Sequence, residues 1–296
     1  MAALAAIHNP NDRTESLLFF CAEDQQVGID RRKEDADEGR GAPAGKAPYG
    51  KEPVENEPIL GTPLVGDARD TESPRGVVKN PSSFGAVFFR KLTQVYGIRI
   101  DGAICQVSPA FQPVLGQPKT DFNCMAACGD GNSIGWLYYL ASDPGVIHEY
   151  RLSPGASIEV PGQPSPDTYL CAYYDANTTS RHCIYQVQGS LAIVDPGTGQ
   201  GGLIKNTTNV KAKSPLAVCI TRGNVYLYYS DQNNALVRIS RTGGGVWGPP
   251  SVVSGAPPLD DGTQMAVTTS VDGSFNMVFY IVRNSGSGYY KQIDLL

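Results

Sequence analysis

The chain has 296 residues, among them 33 Gly and 22 Pro, and carries 24 Lys and Arg against 29 Asp and Glu for a formal charge of −5. An acidic chain whose basic residues do not gather into a stripe is a poor partner for nucleic acid, and without a run of eighteen apolar residues it offers no membrane-spanning helix. No stretch keeps a 3.6-residue apolar period over several turns, so long helices are excluded and the chain reads as all-β.

The N-terminal "MAALAAIHN" is too short and too soon polar for a signal peptide and reads as a strand. The protein is therefore either made without a leader, and cytoplasmic, or begins here as a mature form in the secretory pathway or outside the cell. That strand opens the first of six units. Each begins with a small-centred segment: "ALAAIHN" from Ala3, "FGAVFFR" from Phe84, "CMAACGD" from Cys124, "YLCAYYD" from Tyr169, "PLAVCIT" from Pro215 and "QMAVTTS" from Gln264. Each continues with an aliphatic and aromatic segment, namely Leu18-Phe19-Phe20, Val95-Tyr96-Gly97, Leu137-Tyr138-Tyr139, Ile184-Tyr185-Gln186, Leu227-Tyr228-Tyr229 and Val278-Phe279-Tyr280. A period of about 40 to 50 residues is the length of one four-stranded propeller blade. Within a unit the order is strand, polar turn, aromatic strand, third alternating strand, then a weaker fourth such as Val246 to Ser254.

The expectation is a six-bladed β-propeller of short four-stranded antiparallel blades, one domain over residues 1–296. Small residues suit strands that converge on an axis, and aromatics fill the widening wedge between blades. The last unit ends at "YYKQIDLL" after its third strand, so closure falls to side-chain packing between the terminal blades or to an N-terminal segment added as an outer strand. The first unit also carries a charged, Gly/Pro-rich insertion at about 31–78, where only "PILGTPLV" is strand-like. It reads as a solvated loop holding the outer strand of blade 1, or as a flap across one face.

Seven cysteines leave at least one thiol unpaired. Cys124 and Cys128 stand about 13 Å apart on one strand, too far to bond, whereas Cys171 and Cys183 flank the turn from Asp175 to Ser180 and are placed to face each other across a hairpin. The others read as small buried hydrophobes. Two glycosylation sequons begin at Asn177 and Asn206 in loops. "GNSIG", Gly131 to Gly135, matches a serine-nucleophile pattern but sits where two antiparallel strands turn, without the helix that chemistry needs. The glycine-rich "GTGQGG" likewise precedes no helix. His8, His148 and His182 fall at unrelated strand positions, so no metal site is expected.

The blades resemble those of the fungal fucose-specific lectins, in which an Arg on the second strand and a Glu on the next grip sugar hydroxyls while a Trp or Tyr stacks on the sugar. This sequence places Leu17, Gln94, Trp136, Cys183, Tyr226 and Met277 where the Arg should stand, keeps the Glu only as Glu149 and the Trp as Trp247. None of the six is a guanidinium, and hydrophobic side chains cannot replace its planar fork. An eroded lectin scaffold with abundant Tyr and sequons is also similar to the fungal hetero-Diels–Alderases of tropolone-sesquiterpenoid biosynthesis.

That second resemblance implies a cofactor-independent [4+2] cycloaddition between a quinone methide and a terpene alkene in a central propeller pocket, driven by positioning of a small apolar or aromatic substrate. Candidate catalytic groups are Asp121, Asp261, Tyr139 and Tyr229, with Asn123, Asp143, Lys213 and Arg283 as substrate-binding groups. All but the tyrosines are expected on one rim with Asp167, Thr263, Glu23 and Asp231, though each also reads as an ordinary turn residue, and the tyrosines, in the strand columns, read as wedge packing. The alternative is a fucose-type lectin or another non-catalytic binding propeller with carbohydrate as partner.

Overall fold

Each of the six units folds into its own antiparallel sheet, because short alternating strands bounded by Gly, Asn and Asp turns pair most cheaply with their chain neighbours. The structure, a computed structural model, describes residues 3–21, 27–34, 78–79, 82–115, 124–141, 145–243, 245–284 and 289–296. Blade 1 holds β1 (Leu4–His8), β2 (Glu15–Cys21) and β3 (Val27–Lys33); blade 2 holds β4 (Gly85–Phe89), β5 (Leu92–Ile98), β6 (Ile104–Ser108) and β7 (Gln112–Leu115). Blade 3 comprises β8 (Met125–Gly129), β9 (Gly135–Leu140), β10 (Ile147–Arg151) and β11 (Ala156–Val160). Blade 4 follows with β12 (Leu170–Asp175), β13 (Ser180–Val187), β14 (Ser190–Val194) and β15 (Gly201–Leu203). Blade 5 has β16 (Ala217–Thr221), β17 (Asn224–Ser230), β18 (Leu236–Arg241) and β19 (Ser251–Val252), and blade 6 has β20 (Met265–Thr269), β21 (Phe275–Tyr280) and β22 (Tyr290–Leu295).

The six first strands start within two residues of the positions read from the sequence. They contact one another in ring order, with β1 against both β4 and β20, so the sheets form a six-bladed propeller. Around the axis stand Ala5, Ala86, Ala126, Cys171, Ala217 and Ala266. The crowding there is measurable: a Cβ built on Gly85 would lie 2.9 Å from the Ala127 Cβ. Farther out, Tyr138, Tyr228, Tyr229, Phe19 and Phe279 are almost wholly buried in the wedges.

Closure uses side chains. Blades 1 and 6 share an apolar cluster in which Leu17, Leu18 and Phe19 pack with Phe275, Met277 and Phe279. The Ser16 and Thr268 hydroxyls lie 2.9 Å apart across the same junction, and the Val271 amide donates to Glu34 Oε2 at 2.8 Å. Among the described residues, no further strand pairs with β22.

Three expectations change in detail. The charged run begins later than the composition indicates, because Asp30 to Lys33 belong to β3 and pair with β2. "PILGTPLV" and most of the insertion lie outside the described residues. The weak fourth strand of blade 5 shrinks to Ser251–Val252 with an isolated bridge between Arg241 and Trp247. Finally, the aromatic column does not keep one register. Phe19, Tyr138, Tyr228 and Phe279 pair with Ala5, Ala126, Ala217 and Ala266, whereas Tyr96 and Tyr185 pair with Gly85 and Leu170, one position earlier. Turn length alone does not set this, since blades 2 and 5 both turn through two residues; in β5 and β13 the aromatic stands one residue past the partner of the axial residue, and one residue of slip turns a side chain to the opposite face.

Candidate functional site

Alternation along blade 3 directs Trp136 and Tyr138 of β9, Glu149 and Arg151 of β10, and Ala156 and Ile158 of β11 to one face, as their direct cross-strand pairing requires. Blade 4 turns Arg181 and its cross-strand partner Tyr174 toward that face. The two meet in a cleft of about 390 Å³ lined by Ile134, Trp136, Glu149, Arg151, Ala156, Ile158 and Arg181.

Its chemistry centres on Glu149, only 4% exposed at the side chain. Arg181 donates through Nε to Oε2 at 2.6 Å and through Nη2 to Oε1 at 2.8 Å, a fork on fork pairing, and the Tyr138 hydroxyl donates to Oε2 at 2.8 Å. These bonds to Glu149 raise Arg181 above its ordinary pKa. Burial first, then Cys128 and Glu149, push the Tyr138 hydroxyl up, so it remains a donor. The indole of Trp136 stacks on Tyr174 at 5.6 Å, with the Arg181 guanidinium 5.2 Å from the ring centre. Trp136 is thereby packed into the floor of the cleft, and Ile158, 43% exposed, presents the open apolar surface.

Arg181 is the residue that reading the sequence missed. By position in the sequence Cys183 aligns with Trp136, whereas register counted from the axis makes His182 the equivalent of Trp136, each opposite the residue two past the axial Cys171 or Ala126, with Arg181 one step nearer the hairpin turn. An arginine, a glutamate and a tryptophan do converge here, with the cation supplied by the neighbouring blade rather than by the blade that carries the Glu. The signal available was Glu149 itself, a carboxylate that shares a strand face with Ile147 and so needs a partner.

Other junctions place different groups at corresponding positions. Between blades 5 and 6, Arg238 occupies the place of Glu149, opposite Tyr228, and donates to Asp294 at 2.8 Å while Tyr228 and Asn276 complete the network. Between blades 4 and 5, Arg241 lies over Tyr173 and Trp247 with Asp175 at 3.6 Å, and the His182 ring lies tilted against Tyr173 at 4.8 Å. In blade 1, Arg31 donates to Glu15 at 2.7 Å.

A shallow pocket of about 100 Å³ opens at the axis, lined by the first strands. Of the rim residues, Lys213 pairs with Asp167 at 2.9 Å, joining the approaches to β16 and β12, and Asp261 accepts from both Lys211 and Asn234. Arg283 lies in the turn after β21. Tyr139 stacks on His148 at 5.5 Å on the face opposite Trp136, and Tyr229 is buried with its hydroxyl unpartnered among the described residues. Asp121, Asn123, Asp143 and Glu23 lie outside the described residues.

Asn177 and Asn206 are both exposed. Ser133 of "GNSIG" sits in the turn between β8 and β9 and donates to Asp130 at 3.2 Å. All seven cysteines are free, and Cys171 pairs with Ile184 while Cys183 pairs with Ala172, so the two thiols occupy opposite faces of their hairpin instead of facing each other. Burial raises the Cys105 and Cys124 thiols to about 12. Among the described residues, no three His, Cys, Asp or Glu gather as a metal site.

Comparison with known proteins agrees with this architecture. The chain has the fold of the six-bladed lectin propellers. It is similar to AofleA from Arthrobotrys oligospora, with a TM-score of 0.66 and 14% identity over 100% of this chain and 86% of that one. A fungal lectin of Aleuria aurantia, described as a six-bladed β-propeller with a novel fucose recognition mode, gives 0.63 and 16% over 99% and 95%. The SapL1 lectin bound to alpha methyl fucoside gives 0.62 and 14% over 100% and 96%. In sequence, proteins named wall-associated proteinase from Coccidioides immitis and Coccidioides posadasii are each 28% identical over 94% of this chain and 91% of their own. No protein-family model matches.

Proposed function

We propose that the protein is a non-catalytic carbohydrate-binding propeller whose sugar site is the cleft between blades 3 and 4. The observation that carries this reading is the convergence of Arg181, Glu149 and an apolar wall in about 390 Å³, within the range of roughly 300 to 1,000 Å³ typical of small-ligand sites. A pyranose presents hydroxyls on its edges and C–H groups on its faces. Here the hydroxyls meet the charged pair and the C–H face meets Ile158 and Ala156. The lectin fold of the structural neighbours supports the same class.

A cycloaddition at the axis has weaker support, since about 100 Å³ among small side chains is too little for two joined hydrocarbon reactants. The name shared by the Coccidioides proteins raises a proteolytic reading. One contact favours it: Ser180 Oγ lies 3.0 Å from His182 Nε2. The same hydroxyl also lies 2.5 Å from Thr178, and the pair sits two residues apart on one strand.

Glycan-array screening followed by calorimetry tests the proposal, with Ile158→Asp as a folded variant of the exposed wall. Saccharide binding that Ile158→Asp abolishes is expected. Absence of binding, or binding unchanged in the variant, overturns the assignment. Labelling by a fluorophosphonate that disappears in Ser180→Ala would establish the proteolytic reading in its place.

A further inference from the structure

We infer that the cleft between blades 3 and 4 selects saccharides that carry a ring carboxylate over neutral ones; this rests on the carbohydrate reading of that cleft. The charges decide it. Glu149 accepts three hydrogen bonds, two of them from Arg181, so its charge is answered within the wall. Arg151 remains. It is exposed, it stands on the cleft face as cross-strand partner of both Trp136 and Ala156, and it makes no ion pair or side-chain hydrogen bond among the described residues.

Neighbouring acids do not cancel it. Glu159 lies opposite His148 and so points away from the cleft with the other strand face. Asp195, felt by Arg181, is outside the lining and accepts from the Gly197 amide at 2.7 Å. The lining thus holds two guanidiniums and one carboxylate, a local excess of positive charge on a chain whose formal net charge is −5. A free guanidinium beside an apolar wall fits a uronic acid residue: the carboxylate takes a forked bond from Arg151, and the opposite ring face lies on Ile158 and Ala156. Neutral sugars satisfy the wall and leave Arg151 unanswered.

The test uses the whole protein and calorimetric titration with trigalacturonate, galactotriose, methyl fucoside, a sulfated galactose oligomer and inorganic sulfate, at low and high salt. Trigalacturonate is expected to bind at least about tenfold tighter than galactotriose at low salt, with the margin shrinking as salt screens the charge. Arg151→Gln should reduce the margin to within about twofold while binding of the neutral trimer persists. If both trimers bind equally and Ile158→Asp removes both, the carbohydrate reading stands and the acidic selection fails. If neither binds, both fail. An acidic preference unchanged in Arg151→Gln, or inorganic sulfate competing as well as trigalacturonate, also overturns the inference, and tighter binding of the sulfated oligomer would reassign the anion from carboxylate to sulfate ester.

Discussion

Glu149 is a buried carboxylate whose charge is tolerable only because Arg181 reaches it from the next blade. Breaking such a pair from the exposed side leaves an uncompensated buried charge, and this costs about 3 kcal/mol or more. Arg181→Met should therefore lower unfolding free energy in urea by that amount. Glu149→Gln removes the buried charge and leaves a guanidinium that is 22% exposed and able to hydrate, so its cost should be about 1 to 2 kcal/mol. Equal losses would mean that the pair is not the buried, asymmetric contact described. His182 gives a second prediction. Burial, and then the Arg241 guanidinium, hold its imidazole below the ordinary value. The unfolded chain therefore takes up the proton first as pH falls through about 6.5, so this contribution is present above that pH and is lost as pH falls toward the folded pKa. Thermal melts between pH 7 and pH 5 should show a shallower loss of Tm in His182→Gln than in the parent protein.

The first strands owe their sequence to the axis. With the Ala127 Cβ 2.9 Å from where a Gly85 Cβ would sit and backbone of the same neighbour at 3.2 Å, Gly85→Ala should cost about 1 to 3 kcal/mol by overpacking. Ala126→Trp at the same ring should leave little folded protein on circular dichroism melts. Wild-type stability in Gly85→Ala would show that the ring has slack there. This crowding is also why the blades were legible from sequence: only small residues fit six converging strands, and "LAA", "GAV", "MAA", "LCA", "LAV" and "MAV" mark every start. Pairing inside a hairpin was half legible. Alternation reveals a strand but not which of its residues lies opposite the axial one, so Tyr96 and Tyr185 stand one position away from their expected equivalents. The cleft was the least legible. Its acid and its base stand 32 residues apart on different blades, and no local pattern records which faces two blades turn toward each other.

At the scale of the ring, five of the six junctions have a covalent link through the chain and one does not. Blades 1 and 6 meet only through packed side chains and a few polar contacts, since no strand is exchanged between them among the described residues. Strand exchange would tie that junction with a ladder of backbone hydrogen bonds. Without it, the closing junction opens at a smaller free energy than the molecule unfolds, because its ends separate without breaking any sheet. Met277 lies at this junction and Leu227 within the blade 3 to 5 core, and both are completely buried. Truncating either to Ala should cost about 2 to 5 kcal/mol globally. The distribution of the loss should differ. In Met277→Ala, amides of β20 to β22 and β1 to β2 should exchange with deuterium well before those of blades 3 to 5, while in Leu227→Ala protection should fall more evenly around the ring. Hydrogen exchange read by mass spectrometry on both variants checks this. Uniform protection in Met277→Ala would show that the closing junction is as strong as the covalently linked ones, and that side-chain packing alone does not hold the ring shut.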